Sequence, residues 1–412
     1  MLTAGVEKEM NKVIWGCRDL TQVEKYTQIC NDELRYIDFP CEMIECGMTN
    51  KTCQCVDHRL RIDDMYLRIV NVMSKAAIAT YREKNCKNKN KIVVGWNRHV
   101  GEAHREAKRC FHVWVYFGKP SVGQYYDSMV KSRKIFKSKL KWCIRHQDEI
   151  KMDIIAKNHK NKKFKEFWKC TRSLTPRLGL PVCVDGISDT KAIANLFMNH
   201  FRVQAMPVTH DYVSEHTVEG LDAEPNHTLA FFKTEEVKRI VKYMTRGKSP
   251  GHDGLSIEHL QYAGVHLPRV LCLLYNICVV HSYLPEELMR NVVVPVVKDR
   301  TGDVTDIKNY RPISLATITA KVLDGLLDRK LDQYLDLHDA QFGFRAGLST
   351  ESAVLTLKET VKYYTSRKTP VYACFLDLSK AFDLVSYPIL WDKLRRTGMP
   401  QELISIFRHW YA

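Results

Sequence analysis

Cys374-Phe375-Leu376-Asp377-Leu378-Ser379-Lys380-Ala381-Phe382-Asp383 delivers a carboxylate from an apolar run into a turn that an amphipathic helix follows. Val371 to Leu376 is rich in β-branched and aromatic residues and follows Pro370, which predicts a buried strand. Asp377 then stands at the strand's end, where oxygen ligands can hold a hard divalent cation such as Mg²⁺. Read locally, a single Asp after a strand is most often a helix cap or turn residue. What surrounds the stretch has to decide between the two roles.

Upstream, Asn291-Val292-Val293-Val294-Pro295-Val296-Val297-Lys298 and Tyr310-Arg311-Pro312-Ile313-Ser314-Leu315 flank a polar turn with Asp299, Gly302 and Asp303. This predicts a hairpin, restricted by Pro295 and Pro312 to an edge or an irregular ladder. An ammonium at Lys298 and a forked guanidinium at Arg311 together make a triphosphate grip, or two solvated surface charges. Before the hairpin, Lys233 to Met244 reads as a helix with Thr234 as N-cap and Val237, Ile240, Val241 and Met244 as its apolar stripe. The loop Gly247-Lys248-Ser249-Pro250-Gly251-His252-Asp253-Gly254 follows. Glycines there allow close backbone approach and Lys248 adds charge, which suits a phosphate contact, or the stretch is a turn with no ligand.

Lys and Arg number 63 against 47 Asp and Glu, and residues 81–175 alone hold 25 basic and 8 acidic residues, so the remainder is about neutral. A positive field confined to one segment points to a polyanion partner, with a lysine-rich solvated face as the alternative. Within it, Trp96, His104, Phe111, Trp114 and Phe117 recur at helical spacing and predict core positions more than a stacking platform. Tyr125 to Ile155 reads as one amphipathic helix, apolar at Met129, Phe136, Leu140 and Ile144 and basic at Lys131, Arg133, Lys134, Lys137, Lys139 and Lys141. Lys157 to Lys165 is a short basic run of the nuclear-import type.

At 412 residues and 45% hydrophobic, the chain excludes a disordered protein. The N-terminus lacks the pattern of a secretory signal, and no apolar run approaches the roughly 18 residues of a membrane span. An intracellular protein of nucleus or cytoplasm, with its 14 cysteines as thiols, is the expectation. Helices are expected at Thr21 to Tyr36 and Ile62 to Arg82, around a loop in which Cys41, Cys46, Cys53, Cys55 and His58 offer soft ligands. The single residue between Cys53 and Cys55 is too tight for a usual zinc knuckle, so free or buried thiols are the default. The expected divisions are 1–95, a helical region with that loop; 96–175, a basic helical region; 176–230, a loop-rich connector with a helix near Asp189 to Phe201; and 231–412.

In order along the chain, the Gly247 to Gly254 loop, Asn309-Tyr310-Arg311-Pro312-Ile313-Ser314-Leu315, Gln341-Phe342-Gly343-Phe344-Arg345 and Phe375 to Asp383 resemble the reverse transcriptase of non-LTR (LINE-type) retrotransposons. The likeness is close from about Phe232 to Ala412, and looser from Gly95-Trp96-Asn97, in what resembles that family's linker. It implies an α/β fold: a fragment of a right-hand polymerase, fingers and the first part of a palm, after a mainly helical basic linker. It implies RNA-directed DNA polymerase activity with an RNA template, a DNA primer, deoxynucleoside triphosphates and Mg²⁺ as partners. Asp377 matches the first catalytic, metal-binding aspartate. Phe382 matches the aromatic residue beneath the sugar, whose ring leaves no space for a 2′-hydroxyl. Lys298 and Arg311 match residues that hold the triphosphate; Gln341, Phe344 and Arg345 match a segment near template and nucleotide; Lys248 matches a loop near the nucleic-acid backbone. The family's aromatic-x-Asp-Asp turn is expected beyond Ala412, and its endonuclease before the linker, so the chain reads as the middle of a polyprotein and as inactive alone. A non-catalytic nucleic-acid-binding remnant is the alternative.

Overall fold

The computed structural model describes residues 13, 15–38, 42–43, 46, 55–81, 93–172, 183–202, 232–299, 302–378, 381–382 and 384–411. The chain forms two compact units, Met1–Arg82 with Pro181–Ala412, and Glu83–Leu180.

The first unit begins with α1 (Leu20–Arg35) and α2 (Val56–Thr80). Asp19 opens α1 with a capping box: its Oδ1 accepts from Gln22 N at 2.9 Å, and Gln22 Oε1 accepts from Asp19 N at 3.1 Å. In α2 the buried residues Ile62, Met65, Tyr66, Ile69, Met73, Ala76 and Ala77 recur every three or four positions, giving one apolar face. That face joins α8 (Thr234–Tyr243), α9 (Ile257–Gln261) and α10 (Leu267–Val280) in one hydrophobic core. The N-cap of α8 is Lys233, with Thr234 its first helical residue, one position before the expected cap. Three hydrogen bonds tie the first helix to the later ones: Tyr26 Oη donates to His259 O at 3.0 Å, Thr27 Oγ1 to Tyr262 O at 2.8 Å, and Val265 N to Asn31 Oδ1 at 2.9 Å.

Helix α10 is buried almost all round because α1, α2, α8 and α15 (Gln401–Tyr411) pack against it. Truncating a side chain such as Leu274 there costs about 2–5 kcal/mol. Its polar interruption, Asn276, is a pin: Oδ1 accepts from Phe232 N at 2.9 Å and Nδ2 donates to Phe232 O at 3.0 Å. No helix among the described residues is long and apolar enough to cross a membrane.

After α11 (Glu286–Met289), strands β1 (Val292–Val297) and β2 (Tyr310–Leu315) form an antiparallel ribbon with Pro295 opposite Pro312. Lys298 N donates to Asn309 O at 2.7 Å, so counting back along the register makes Val296 and Arg311 a hydrogen-bonded pair and the two prolines a non-hydrogen-bonded one. A proline there forfeits no ladder bond, which is why six pairs form without a bulge. At the turn end, Val297 and Tyr310 pack on α7 (Thr190–Phe201), the helix expected near Asp189 to Phe201 and N-capped by Asp189, through Phe197, Val184 and Ile307. From β2 the chain enters α12 (Ile318–Leu331), which returns to the core.

The stretch Val371 to Leu376 departs from expectation. Helix α13 (Thr350–Ser366) buries none of its residues, and Val371 to Leu376 forms no strand, with Phe375 82% and Leu376 90% exposed. A buried strand needs ladder partners on its edges, and among the described residues nothing pairs with this one. The helix after Asp377 starts only at α14 (Tyr387–Arg396), past a turn. The described residues are thus mainly helical with one two-stranded sheet, less sheet than the α/β expectation.

The second unit runs from a π-turn at Trp96–Val100 through α3 (Gly101–Tyr116), α4 (Gln124–Arg145), α5 (Gln147–Lys160) and α6 (Phe164–Arg172). Its core is Val100, Cys143 and Ile150, flanked by Trp96, Phe136, Leu140 and Ile154. Gly95, at φ +83°, is required twice, since a Cβ there would also meet Ile150 Cγ2 at 2.8 Å. The single helix expected over Tyr125 to Ile155 breaks at His146. Gln147 causes it: its side chain accepts from Val94 N at 3.0 Å and donates to Val94 O at 3.0 Å, as a neighbouring strand would. The buried stripe therefore passes through Cys143, while Ile144 is exposed.

Candidate nucleotide and nucleic-acid site

Because Lys298 N donates to Asn309 O in continuation of the register and Arg311 opposes Val296, the two residues stem from one face of the ribbon, one diagonal apart along its backbone. Lys298 Nζ donates to Lys308 O at 2.8 Å, and Arg311 is exposed. The turn that holds them is built by Asn309, whose Oδ1 accepts from Asp299 N and whose Nδ2 donates to Asp299 O and Asp303 O at 3.0 and 2.9 Å. Sequence reasoning missed this staple. Its signal was an amide residue directly before the second strand.

The glycine-rich loop anchors the roots of both strands. Gly251 lies so close to α12's entry that a Cβ would meet Thr317 N at 2.8 Å and Ala316 C at 3.0 Å. His252 Nε2 lies 2.9 Å from Glu287 O and 3.3 Å from Glu287 Oε2, on the short helix that feeds β1. Burial lowers the pKa of His252, against the pull of Glu287. Asp253 is pushed up to about 6 by burial, its Oδ1 accepting from Leu255 N at 3.1 Å while Oδ2 is buried with no hydrogen-bond partner among the described residues. Lys248 stands outside this packed part, exposed. Most of the loop is thus occupied with protein contacts, which neither a phosphate contact nor a turn with no ligand had anticipated.

Gln341 to Arg345 forms a turn, with Gln341 Nε2 donating to Gly343 O at 3.1 Å and Arg345 Nη1 to His338 O at 3.1 Å. Phe344, at φ 59°, is turned outward and 88% exposed. Its ring meets that of Phe382 at 6.1 Å and 84°. Two rings 38 positions apart in the sequence are brought together there. Asp377 is exposed, and no hydrogen bond or ion pair among the described residues joins it to Lys298 or Arg311. Ser379, Lys380 and Asp383 lie outside the described residues, as do Cys41 and Cys53 of the cysteine-bearing loop. Among the described residues no group of three or more His, Cys, Asp or Glu could hold a metal ion. Asp377 thus fits at most one ligand position of a divalent-cation site.

Residues 297–411 match the family described as Reverse transcriptase (RNA-dependent DNA polymerase). That match spans Lys298, Arg311, Gln341 to Arg345, Asp377 and Phe382. The chain resembles the reverse transcriptases of non-LTR retrotransposons. It is 28% identical over 244 residues to a probable RNA-directed DNA polymerase from transposon BS of Drosophila melanogaster, covering 56% of this chain and 27% of that protein. It is 30% identical over 218 residues to the Pol polyprotein from the type-1 retrotransposable element R1 of Bradysia coprophila, covering 52% and 21% respectively. An RNA-directed DNA polymerase from mobile element jockey of Drosophila melanogaster is 28% identical over 178 residues, 42% of this chain and 19% of that one. The chain therefore spans about a quarter or less of the length of these relatives.

Proposed function

We propose that residues 231–412 are fingers and the first part of a palm of an RNA-directed DNA polymerase, working on an RNA template, a DNA primer and deoxynucleoside triphosphates. The observation that carries this reading is the placement of Lys298 and Arg311 on one face of a ribbon whose family match continues through Asp377 and Phe382. A point charge and a planar fork, held about one diagonal apart, suit a triphosphate. Phe382 with Phe344 would close the sugar side of the nucleotide, and Lys248, Gln341 and Arg345 would meet the nucleic acid. Asp377 would supply one oxygen ligand to Mg²⁺, whose chemistry when bound is to polarise the phosphoryl group and activate the primer hydroxyl. One carboxylate cannot hold two divalent cations in the geometry that phosphoryl transfer needs, so extension resting on Asp377 alone is expected to be negligible.

The test is primer extension on an RNA template with Mg²⁺, beside an Asp377→Ala variant. Clear Asp377-dependent extension would overturn the inactive state; triphosphate binding indifferent to Lys298 and Arg311 would overturn the reading itself. The charge confined to residues 81–175 favours a second reading, in which that segment binds nucleic acid without any catalysis. Its signature is an affinity that falls steeply with salt.

A further inference from the structure

We propose that the tip of the α3–α4 hairpin is a stacking platform for unpaired bases of single-stranded nucleic acid. The inference rests on the second reading above, that the basic unit binds nucleic acid, and adds where and in what form.

The helices meet at a tight turn wound through Gly118, Lys119 and Gly123, all at positive φ. The turn is fixed by Lys119 N donating to Trp114 O at 3.0 Å and Trp114 Nε1 donating to Pro120 O at 2.8 Å. On this rigid tip Phe117 and Tyr125 stack face to face, 4.1 Å between centroids and 6° between planes. Tyr116 stands edge-on to Phe117 at 5.3 Å. These rings are outside the unit's core: Tyr116 is 84% and Phe117 51% exposed, and Val122 beside them 79%. Water-facing aromatics at a fixed turn are costly unless something covers them.

Charge says what that is. Lys119 sits in the turn, Lys108 and Arg109 lie within about three helical turns of it on α3, and Lys131 and Lys134 on α4, all but the turn residue on exposed helical positions. The nearby acids are Asp127 and Glu106, the latter engaged by Arg109 at 2.7 Å. Cations set around a ready-made π-stack match a phosphate chain with accessible bases, because a base continues the stack while its phosphates meet the lysines. A duplex keeps its base faces covered and cannot use the rings. The rings are already paired and held, so little ordering cost opposes binding.

The experiment measures binding of the full chain to fluorescent oligo(rU) and oligo(dT), with Phe117→Ala, Tyr116→Ala and Tyr125→Ala variants. Each aromatic loss is expected to weaken binding about tenfold with an unchanged salt slope, whereas Lys131→Glu with Lys134→Glu reduces the slope. Phe117→Tyr should restore binding, separating stacking from folding. Oligonucleotides carrying 5-iodouracil should photocrosslink to the peptide that contains residues 116–125. The two oligonucleotides distinguish an RNA-selective site from one indifferent to the sugar. If the lysine variants weaken binding but the aromatic ones do not, the platform is wrong and the basic-unit reading survives. If neither does, both fail. Preference for duplex, or aromatic-dependent binding to anionic phosphatidylserine vesicles in place of oligonucleotides, would also overturn it.

Discussion

Phe344 and Phe382 meet edge to face at 6.1 Å, although both rings are largely exposed. Edge-to-face pairs contribute about 0.5–1.5 kcal/mol beyond burial, so each ring helps fix the other's position. If Phe382 walls the sugar as proposed, Phe382→Ala is expected to remove that wall and to narrow the difference in affinity between dTTP and UTP. Phe344→Ala should narrow it less, by loosening that wall. Competition binding with both nucleotides checks this; equal narrowing by an unrelated surface Phe, such as Phe164→Ala, would remove the argument.

Lys298→Ala and Arg311→Ala should each weaken binding of a deoxynucleoside triphosphate about tenfold while leaving the unphosphorylated nucleoside unaffected. Arg311→Lys should not rescue, because an ammonium cannot reproduce the bidentate fork. Isothermal titration with both ligands separates triphosphate contacts from loss of the ribbon. The ribbon's own integrity is read from Asn309→Ala, expected to lower stability by about 1–2 kcal/mol as three turn bonds are lost.

Asp253 and His259 lie six residues apart and respond oppositely to acid. His259 is lowered to about 4 by burial; its Nδ1 accepts from Ser256 N at 3.0 Å, so the proton sits on Nε2, beside the Trp15 ring at 5.1 Å. Because its folded pKa lies below the unfolded value of 6.5, His259 stabilises the fold above pH 6.5, and that contribution is lost as pH falls towards 4. Asp253 is raised to about 6 from 3.8, so it favours folding below 3.8 and disfavours it as pH rises through 6. Each is worth about 3 kcal/mol, and they offset each other between pH 4 and 6. Asp253→Asn should raise stability at pH 7 and expose a steep acid loss, to which His252, His281 and His409, also lowered by burial, contribute. Urea melts at pH 4.5, 6 and 7.5 test this; a variant whose pH profile parallels the parent's would refute it.

Asn276→Leu should be among the costliest conservative-volume changes in the chain. It strips both hydrogen bonds from the Phe232 backbone while burying both groups, a loss of about 2–5 kcal/mol. Denaturant midpoints report it directly.

The legibility of the sequence followed the range of the interactions. The ribbon could be read because Val292 to Val297 and Tyr310 to Leu315 are self-identifying and their partner is the next segment. The prolines read as a defect only because the register was unknown; set opposite each other in a non-hydrogen-bonded pair they are harmless. The strand expected at Val371 to Leu376 could not be judged from its own composition, since a strand exists only with a partner. The break at His146 was invisible for a related reason: Gln147 pairs with Val94, some fifty residues away. Of the site, Lys298 and Arg311 were legible as a pair and are on one face. Phe344 beside Phe382 was not foreseen from spacing, and the burial of His252 and Asp253 depends on residues far along the chain.

The hydrogen bond from Tyr26 to His259 spans 233 positions. During synthesis at ~5–20 residues per second, the first two helices wait roughly 10–40 s for the helices that cover them. The basic unit, whose core is wholly its own, emerges and can condense in that interval. The apolar face of α2 thus precedes by about 150 residues or more the helices α8 to α10 that complete its burial, so its burial is finished only after the basic unit has been made.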